Sequence, residues 1–92
     1  MDEAKNLKNQ RKHGISFEEA EKLFETESDY LEIFDEAHSE TEDRFIAIGP
    51  ITRGIILVVW AARDDDTNRL ISARLASERE QALYHSYMDE SR

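Results

Sequence analysis

Lys12 and His13, two neighbouring side chains near the start of the chain, are of types that transfer protons and bind anions near neutral pH. Histidine has an unperturbed pKa close to neutrality, so it can donate or accept a proton, while a lysine ammonium can hold a phosphate. The same two residues also suit a structural role, since cations at a helix C-terminus complement the helix dipole. The pair alone leaves both interpretations open.

Four arginines on segments with strand character are candidates to join this pair. A guanidinium contacts two oxygens of a phosphate at once, so these residues would neutralise the charge of a phosphodiester. Alternation along residues 68–75 predicts that Leu70, Ser72 and Arg74 share one sheet face, which we expect to be the more open one. One strand does not define the pairing register, so solvated arginines paired with surface acids are an equal alternative. The four residues are Arg44, Arg63, Arg69 and Arg74.

Glu42 and Tyr84 are the remaining candidates for direct roles. Glu42 shares strand parity with Arg44, so its carboxylate could accept a proton or orient the arginine, although a plain surface ion pair is the more frequent role. Tyr84 is expected to pack beneath the last helix, with stacking on a base as the less frequent alternative. The catalytic candidates are thus Lys12, His13, Glu42, Arg44 and Arg74, and the substrate-binding candidates are Arg63, Arg69 and Tyr84.

A metal-dependent route is the less favoured interpretation of the acidic segment before Arg44. Asp35, His38, Glu40 and Glu42 could place oxygen ligands around a cation, but acidic runs of this kind are usually solvated. The chain has no cysteine, which excludes a thiolate metal site and a disulfide framework. We therefore expect no metal and no cofactor.

Two helices at the N-terminus are predicted to position Lys12 and His13. The first runs from an Asp2 cap to about Lys12 and has Gly14 as its C′ residue. Its only apolar residues are Ala4 and Leu7, so we expect it to lie on the surface with little buried. The second helix begins after residue 16 with a capping box that ends at residue 19.

The rest of the chain indicates an antiparallel meander followed by one helix, which makes the fold class α+β. Strands are expected over residues 29–34, 44–48, 55–63 and 68–75, with an acidic loop over residues 36–43 and Gly49-Pro50 ending the second strand. A capping box from Ser77 to Glu80 opens the last helix, with Leu83, Tyr84, Tyr87 and Met88 on its inner side.

Charge is distributed unevenly along these 92 residues, which carry a net charge of −9. Residues 15–43 hold twelve acids against one lysine, whereas residues 1–14 hold four lysines and arginines against two acids, and residues 44–79 hold six arginines against four acids. Two segments could therefore build a local positive surface on an acidic protein. The length suits one domain, and the absence of a secretory signal or long apolar run predicts a cytoplasmic protein.

The order of these motifs resembles the BrnT-type toxin family over essentially the whole chain. The resemblance is strongest in Lys12-His13-Gly14-Ile15-Ser16-Phe17 and in Ile71-Ser72-Ala73-Arg74. It extends through Asn6, Asn9, Asp35, His38-Ser39, Glu42-Asp43-Arg44 and Glu78-Arg79-Glu80 with Tyr84. Members of the family usually begin with a short strand before the first helix, and Met1 lies where its last residue would be. We therefore expect a single domain over residues 1–92 that lacks this strand.

The resemblance implies a ribonuclease toxin of a bacterial toxin–antitoxin pair with a RelE-like fold. Its partner would be a ribbon-helix-helix antitoxin of the BrnA type, which neutralises the toxin. Operator DNA would be bound only through the antitoxin. Oligomers are expected only with the antitoxin. Metal-free RNA cleavage needs a base for the 2′-hydroxyl proton, an acid for the leaving 5′-oxygen and cations on the phosphate. Arg74 is expected to lie across a cleft from Lys12 and His13. The alternative is a noncatalytic module whose acidic segment, residues 15–43, docks a basic partner.

Overall fold

Three helices and four strands make up the computed structural model, which describes residues 3–25, 30–36, 42–62 and 68–90. Two helices come first, four strands follow, and one helix ends the described chain, so the predicted α+β order is confirmed. The elements are α1 (Glu3–His13), α2 (Phe17–Glu25), β1 (Leu31–Phe34), β2 (Arg44–Ile51), β3 (Gly54–Ala62), β4 (Asn68–Leu75) and α3 (Glu78–Glu90).

The strands form one antiparallel sheet in the order β1-β2-β3-β4, as a meander predicts. The prediction that Gly49-Pro50 ends the second strand is wrong, because β2 continues to Ile51 and Pro50 lies opposite Ile55. Pairing with β1 stops at Ile48, so the outer edge of β2 is unpaired beyond that residue. A proline, which lacks an N–H, is tolerated at such an edge.

Helices pack on both faces of the sheet and create two apolar clusters. On the face that we call the α2 face, Ile15, Ala20 and Leu23 pack on sheet residues Ala47, Ile56, Val58 and Ala73. On the opposite face, the α3 face, Tyr84 and Ala76 pack on Ile48 and Leu57. Met88 also packs there, whereas Leu83 and Tyr87, both predicted on the inner side of α3, are exposed.

A β-bulge in β4 changes the predicted alternation of side chains. Ser72 lies opposite Val59, but Leu70 lies opposite Trp60, so Ile71 is the extra residue. Directly opposed residues share a face, which puts Leu70 on the α2 face while Ser72 stays on the α3 face. The prediction that Leu70 shares a face with Ser72 and Arg74 is therefore wrong. The same bulge turns Arg69, opposite Ala61, onto the α3 face.

α1 docks through asparagines and not through its apolar residues. Asn6 and Asn9 are 2% and 6% exposed, whereas Leu7 is 52% exposed and Ala4 is exposed as well. The Asn6 side-chain oxygen accepts a hydrogen bond from the backbone N–H of Phe17 at 2.8 Å, which satisfies a free donor at the start of α2. The expectation of a surface helix with little buried missed this polar anchoring.

Candidate functional site

Lys12 and His13 line a groove between α1 and the outer strand β4. The groove has seven lining residues, five from α1 and two from β4, and we call it the α1–β4 groove. Three lysines and one histidine are among them, and none of the seven carries a carboxylate. A surface of this composition attracts a polyanion in spite of the negative charge of the whole chain. The residues are Lys5, Lys8, Asn9, Lys12, His13, Ile71 and Ser72.

The position of His13 follows from its helical spacing to the two buried asparagines. Residues 6, 9 and 13 lie on one face of α1. The Asn9 side chain is held by hydrogen bonds to the backbone of Ile15 and of Ala73. Its side-chain nitrogen donates to the carbonyl oxygens of Ile15 and Ala73, each at 2.8 Å, and its oxygen accepts from the N–H of Ala73 at 3.0 Å. Gly14 then ends the helix with a φ of 74°, so His13 lies in the last turn beside β4.

Arg44 and Arg69 lie on the α3 face with Glu42 between them. Each arginine is directly opposite Ala61, one from β2 and one from β4, so the three strands place them in one row. The Glu42 carboxylate pairs with Nη2 of Arg69, and Nε of Arg44 lies 4.0 Å from it. All three side chains are partly exposed, although the Nε atoms of both arginines are buried. We call these residues the arginine cluster.

Arg74 is on the same face but is engaged by α3. Its guanidinium donates two hydrogen bonds of 2.7 Å to the carboxylate of Glu80. Glu80 also accepts the N–H of Ser77 at 2.8 Å, and its own N–H bonds the Ser77 hydroxyl at 3.2 Å, so the predicted capping box is present. The hydrogen bonds from Arg74 are the main reason that the pKa of Glu80 falls from 4.5 to about 2. Arg74 therefore clamps β4 to the start of α3.

Arg74 does not share the lining of the α1–β4 groove with Lys12 and His13. Its partner is Glu80. Ser72 links the two regions, because it lines the groove and lies on the α3 face between Arg69 and Arg74 along β4. The candidates thus form two cationic areas that meet at the edge of β4.

The remaining candidates fall elsewhere in the molecule. Tyr84 is 9% exposed and packs with Ile48, Leu57 and Ala76, so its ring belongs to the apolar cluster of the α3 face. Arg63, His38 and Glu40 lie outside the described residues.

A family-wide sequence pattern described as the ribonuclease toxin BrnT of a type II toxin–antitoxin system matches residues 1–80. The chain belongs to the BrnT family. The match includes both cationic areas, since residues 5–13, 42–44 and 69–74 all lie inside it. A comparison with curated proteins finds no match, and neither does a comparison with solved structures.

Membership in the BrnT family assigns the chain to the ribonuclease toxins of type II systems, whose partner is an antitoxin. Within the described part of the chain, no helix combines the length and the apolar character needed to cross a membrane.

Proposed function

We propose that this BrnT-family protein is an endoribonuclease that cleaves RNA by attack of the 2′-hydroxyl on the adjacent phosphate, without a metal ion. The observation that supports the proposal is the α1–β4 groove, where His13 lies among three lysines with no carboxylate in the lining. Cleavage of this kind needs a proton carrier beside a cationic phosphate site, and the groove supplies both.

The proposed roles follow from the position of each side chain. His13 transfers a proton at the scissile phosphate, and Lys12, one residue before it, holds a phosphate oxygen. The RNA passes from the groove over Ser72 onto the α3 face. There Arg44 and Arg69 contact a flanking phosphate through their guanidiniums.

Two ion pairs on the α3 face define the remaining roles. Glu42 touches both guanidiniums of the arginine cluster, so we assign it the orientation of those side chains. Arg74 shares its guanidinium with Glu80, and we assign it a contact to the phosphate chain at the end of the surface beside α3. The proposed site leaves Tyr84 out, because its ring is buried in the core.

The test is cleavage of a defined RNA by the purified protein in the presence of EDTA. His13→Ala is expected to slow cleavage by about 100-fold or more, the usual contribution of a positioned proton carrier. His85→Ala is the matched control, because His85 is an exposed histidine of α3. Undiminished cleavage by His13→Ala would contradict the site, and loss of wild-type activity in EDTA would contradict the metal-free reaction.

The antitoxin is the other half of the proposal. We infer that the partner is a ribbon-helix-helix antitoxin that neutralises the toxin. The complex binds operator DNA only through this antitoxin. Support comes from the family, which places the chain in a type II toxin–antitoxin system. Co-expression with the small adjacent gene should relieve growth arrest and yield a stable complex, whereas arrest in its presence would contradict the pairing.

A further inference from the structure

An aromatic row crosses the α2 face of the sheet, far from the arginine cluster on the opposite face. The pairing register aligns Phe34, Phe45, Trp60 and Leu70 across the four strands. The Phe45 and Trp60 rings are stacked with their centroids 4.5 Å apart, and Phe34 lies 5.4 Å from Phe45. Phe34 is 46% exposed, so the outer end of the row is open to solvent.

A pocket of about 370 Å³ opens beside this row. Phe24 of α2 makes edge contacts with Trp60 at 6.3 Å and with Tyr30 at 5.3 Å, which gives the pocket aromatic walls. The bulge in β4 completes the wall, because it turns Leu70 onto this face. The lining residues are Glu21, Phe24, Tyr30, Glu32, Trp60 and Leu70.

The pocket carries negative charge only. Glu21 and Glu32 are both exposed, and none of the six lining residues is cationic. Burial raises the pKa of the Tyr30 hydroxyl, and the Glu32 carboxylate raises it further. Tyr30 is therefore neutral at physiological pH, and the two carboxylates set the sign of the site.

We propose that this pocket, which we call the acidic aromatic pocket, is a docking site for a lysine or arginine side chain on a basic segment of the antitoxin. Aromatic faces attract a cation through their quadrupole, and the two carboxylates would pair with its charged end. The inference rests on the proposed function only in taking the antitoxin as the partner.

The charge of the pocket decides against the other occupants. Stacked aromatic rings also suit the bases of single-stranded RNA, but Glu21 and Glu32 would repel the phosphates that accompany those bases. A second copy of this chain is disfavoured because each carries a net charge of −9. A basic protein segment is the occupant that the aromatic rings and the carboxylates both favour.

Docking here leaves the arginine cluster accessible on the other side of the sheet. Trp60 and Arg69 lie on opposite faces, since Trp60 pairs with Leu70 and Arg69 pairs with Ala61. The pocket can therefore be altered without touching a residue of the proposed RNA site.

Trp60 is the single tryptophan of the chain and reports directly on the pocket. The experiment titrates a tryptophan-free antitoxin, encoded by the adjacent gene, into the intact toxin and follows Trp60 fluorescence at low and high salt. The expected result is a spectral change with an affinity that falls as salt rises. Glu21→Gln combined with Glu32→Gln should weaken binding by about tenfold, the loss of one partly desolvated cation contact.

The matched control is Glu36→Gln combined with Glu90→Gln, which removes the same charge at exposed positions outside the pocket lining. Unchanged affinity in the pocket variant, equal weakening in the control, or absence of any Trp60 response would overturn the proposal. It would also be overturned if an RNA oligonucleotide, and not the antitoxin, changed the Trp60 signal.

RNA cleavage separates this inference from the proposed function. The free Glu21→Gln, Glu32→Gln variant should cleave RNA at the wild-type rate, because neither glutamate lines the α1–β4 groove. A thermal unfolding curve close to that of the wild type shows that the variant folds. Failure of wild-type cleavage would contradict the ribonuclease proposal and leave the binding result intact.

Discussion

The side chain of Asn9 pairs with both backbone groups of Ala73 in the manner of a neighbouring strand. Its oxygen accepts the N–H of Ala73 at 3.0 Å, and its nitrogen donates to the carbonyl oxygen of Ala73 at 2.8 Å. Unpaired backbone groups at a sheet edge invite association with other chains. One amide therefore closes the edge of β4 at this point and fixes α1, with Lys12 and His13 in its last turn, against the sheet.

Asn9→Asp should destabilise the protein and impair cleavage together. The aspartate keeps the shape but places an oxygen against the carbonyl oxygens of Ile15 and Ala73, which now receive no hydrogen bond. We expect the free energy of unfolding to fall by on the order of 3 kcal/mol, because buried acceptors lose their donor. Urea denaturation measures the loss. Gln10→Glu, the same chemical change at an exposed neighbour, is the control and should unfold like the wild type.

The Asn9 anchor also shows where sequence patterns were insufficient. The helices and the meander could be predicted because capping residues and hydrophobic periodicity are local signals. The docking face of α1 could not, since it is made by Asn6 and Asn9 while Leu7 points to solvent. A pair of asparagines three residues apart on a helix with few apolar residues was the available signal.

The arrangement of the arginines was beyond a single sequence for a different reason. Simple alternation along β4 separates Arg69 from Arg74 by face, and only the bulge at Ile71 unites them. The identity of Arg74's partner was likewise hidden, because the Ser77–Glu80 capping box predicts a helix start and gives no indication of a bidentate contact from the preceding strand. Register and bulges depend on packing across strands, which no single strand encodes.

Glu80→Gln should remove a component of the acid sensitivity of folding. The pKa of Glu80 is lowered from 4.5 to about 2 in the folded protein, so the carboxylate contributes stability above pH 4.5 that is lost as the pH falls toward 2. The variant should be less stable than the wild type at pH 7, and the difference should shrink steadily across this range. Chemical denaturation at several pH values measures it. Glu78→Gln removes the same charge from an exposed neighbour in the first turn of α3 and controls for the general change in charge.

Neutralising the lysines of the α1–β4 groove should reduce the salt dependence of RNA binding. Each lysine that contacts a phosphate adds about 0.7 to the slope of log affinity against log salt for a single strand. Lys5→Gln, Lys8→Gln and Lys12→Gln together should therefore lower that slope by about 2, measured by fluorescence anisotropy with a short RNA. Lys22→Gln, on the exposed side of α2, is the control. An unchanged slope in the triple variant would place RNA elsewhere.

Glu42→Gln distinguishes an orienting residue from a general base. Glutamine preserves the size of the side chain and an oxygen that can accept from Arg69, but it cannot take a proton from a 2′-hydroxyl. If Glu42 only orients the arginines, kcat of the Glu42→Gln variant should fall by less than about tenfold, and the acidic limb of the pH–rate profile should be unchanged. A loss of about 100-fold with disappearance of that limb would assign Glu42 as the base instead. Glu36→Gln provides the control for a general change in charge.

Gly49→Ala should destabilise the fold through a close approach between β2 and α2. A Cβ at this position would lie 2.7 Å from Cδ1 of Leu23 and 2.7 Å from Cβ of Tyr30, and the nearby backbone of Tyr30 limits relaxation on that side. Overpacking of this kind costs about 1–3 kcal/mol, which thermal or urea unfolding would show directly. In combination with Leu23→Ala, the total loss should be smaller than the sum of the two single losses, because the shorter side chain relieves the contact with Cδ1 of Leu23. If Gly49→Ala unfolded like the wild type, α2 could not pack as closely on β2 as the structure shows.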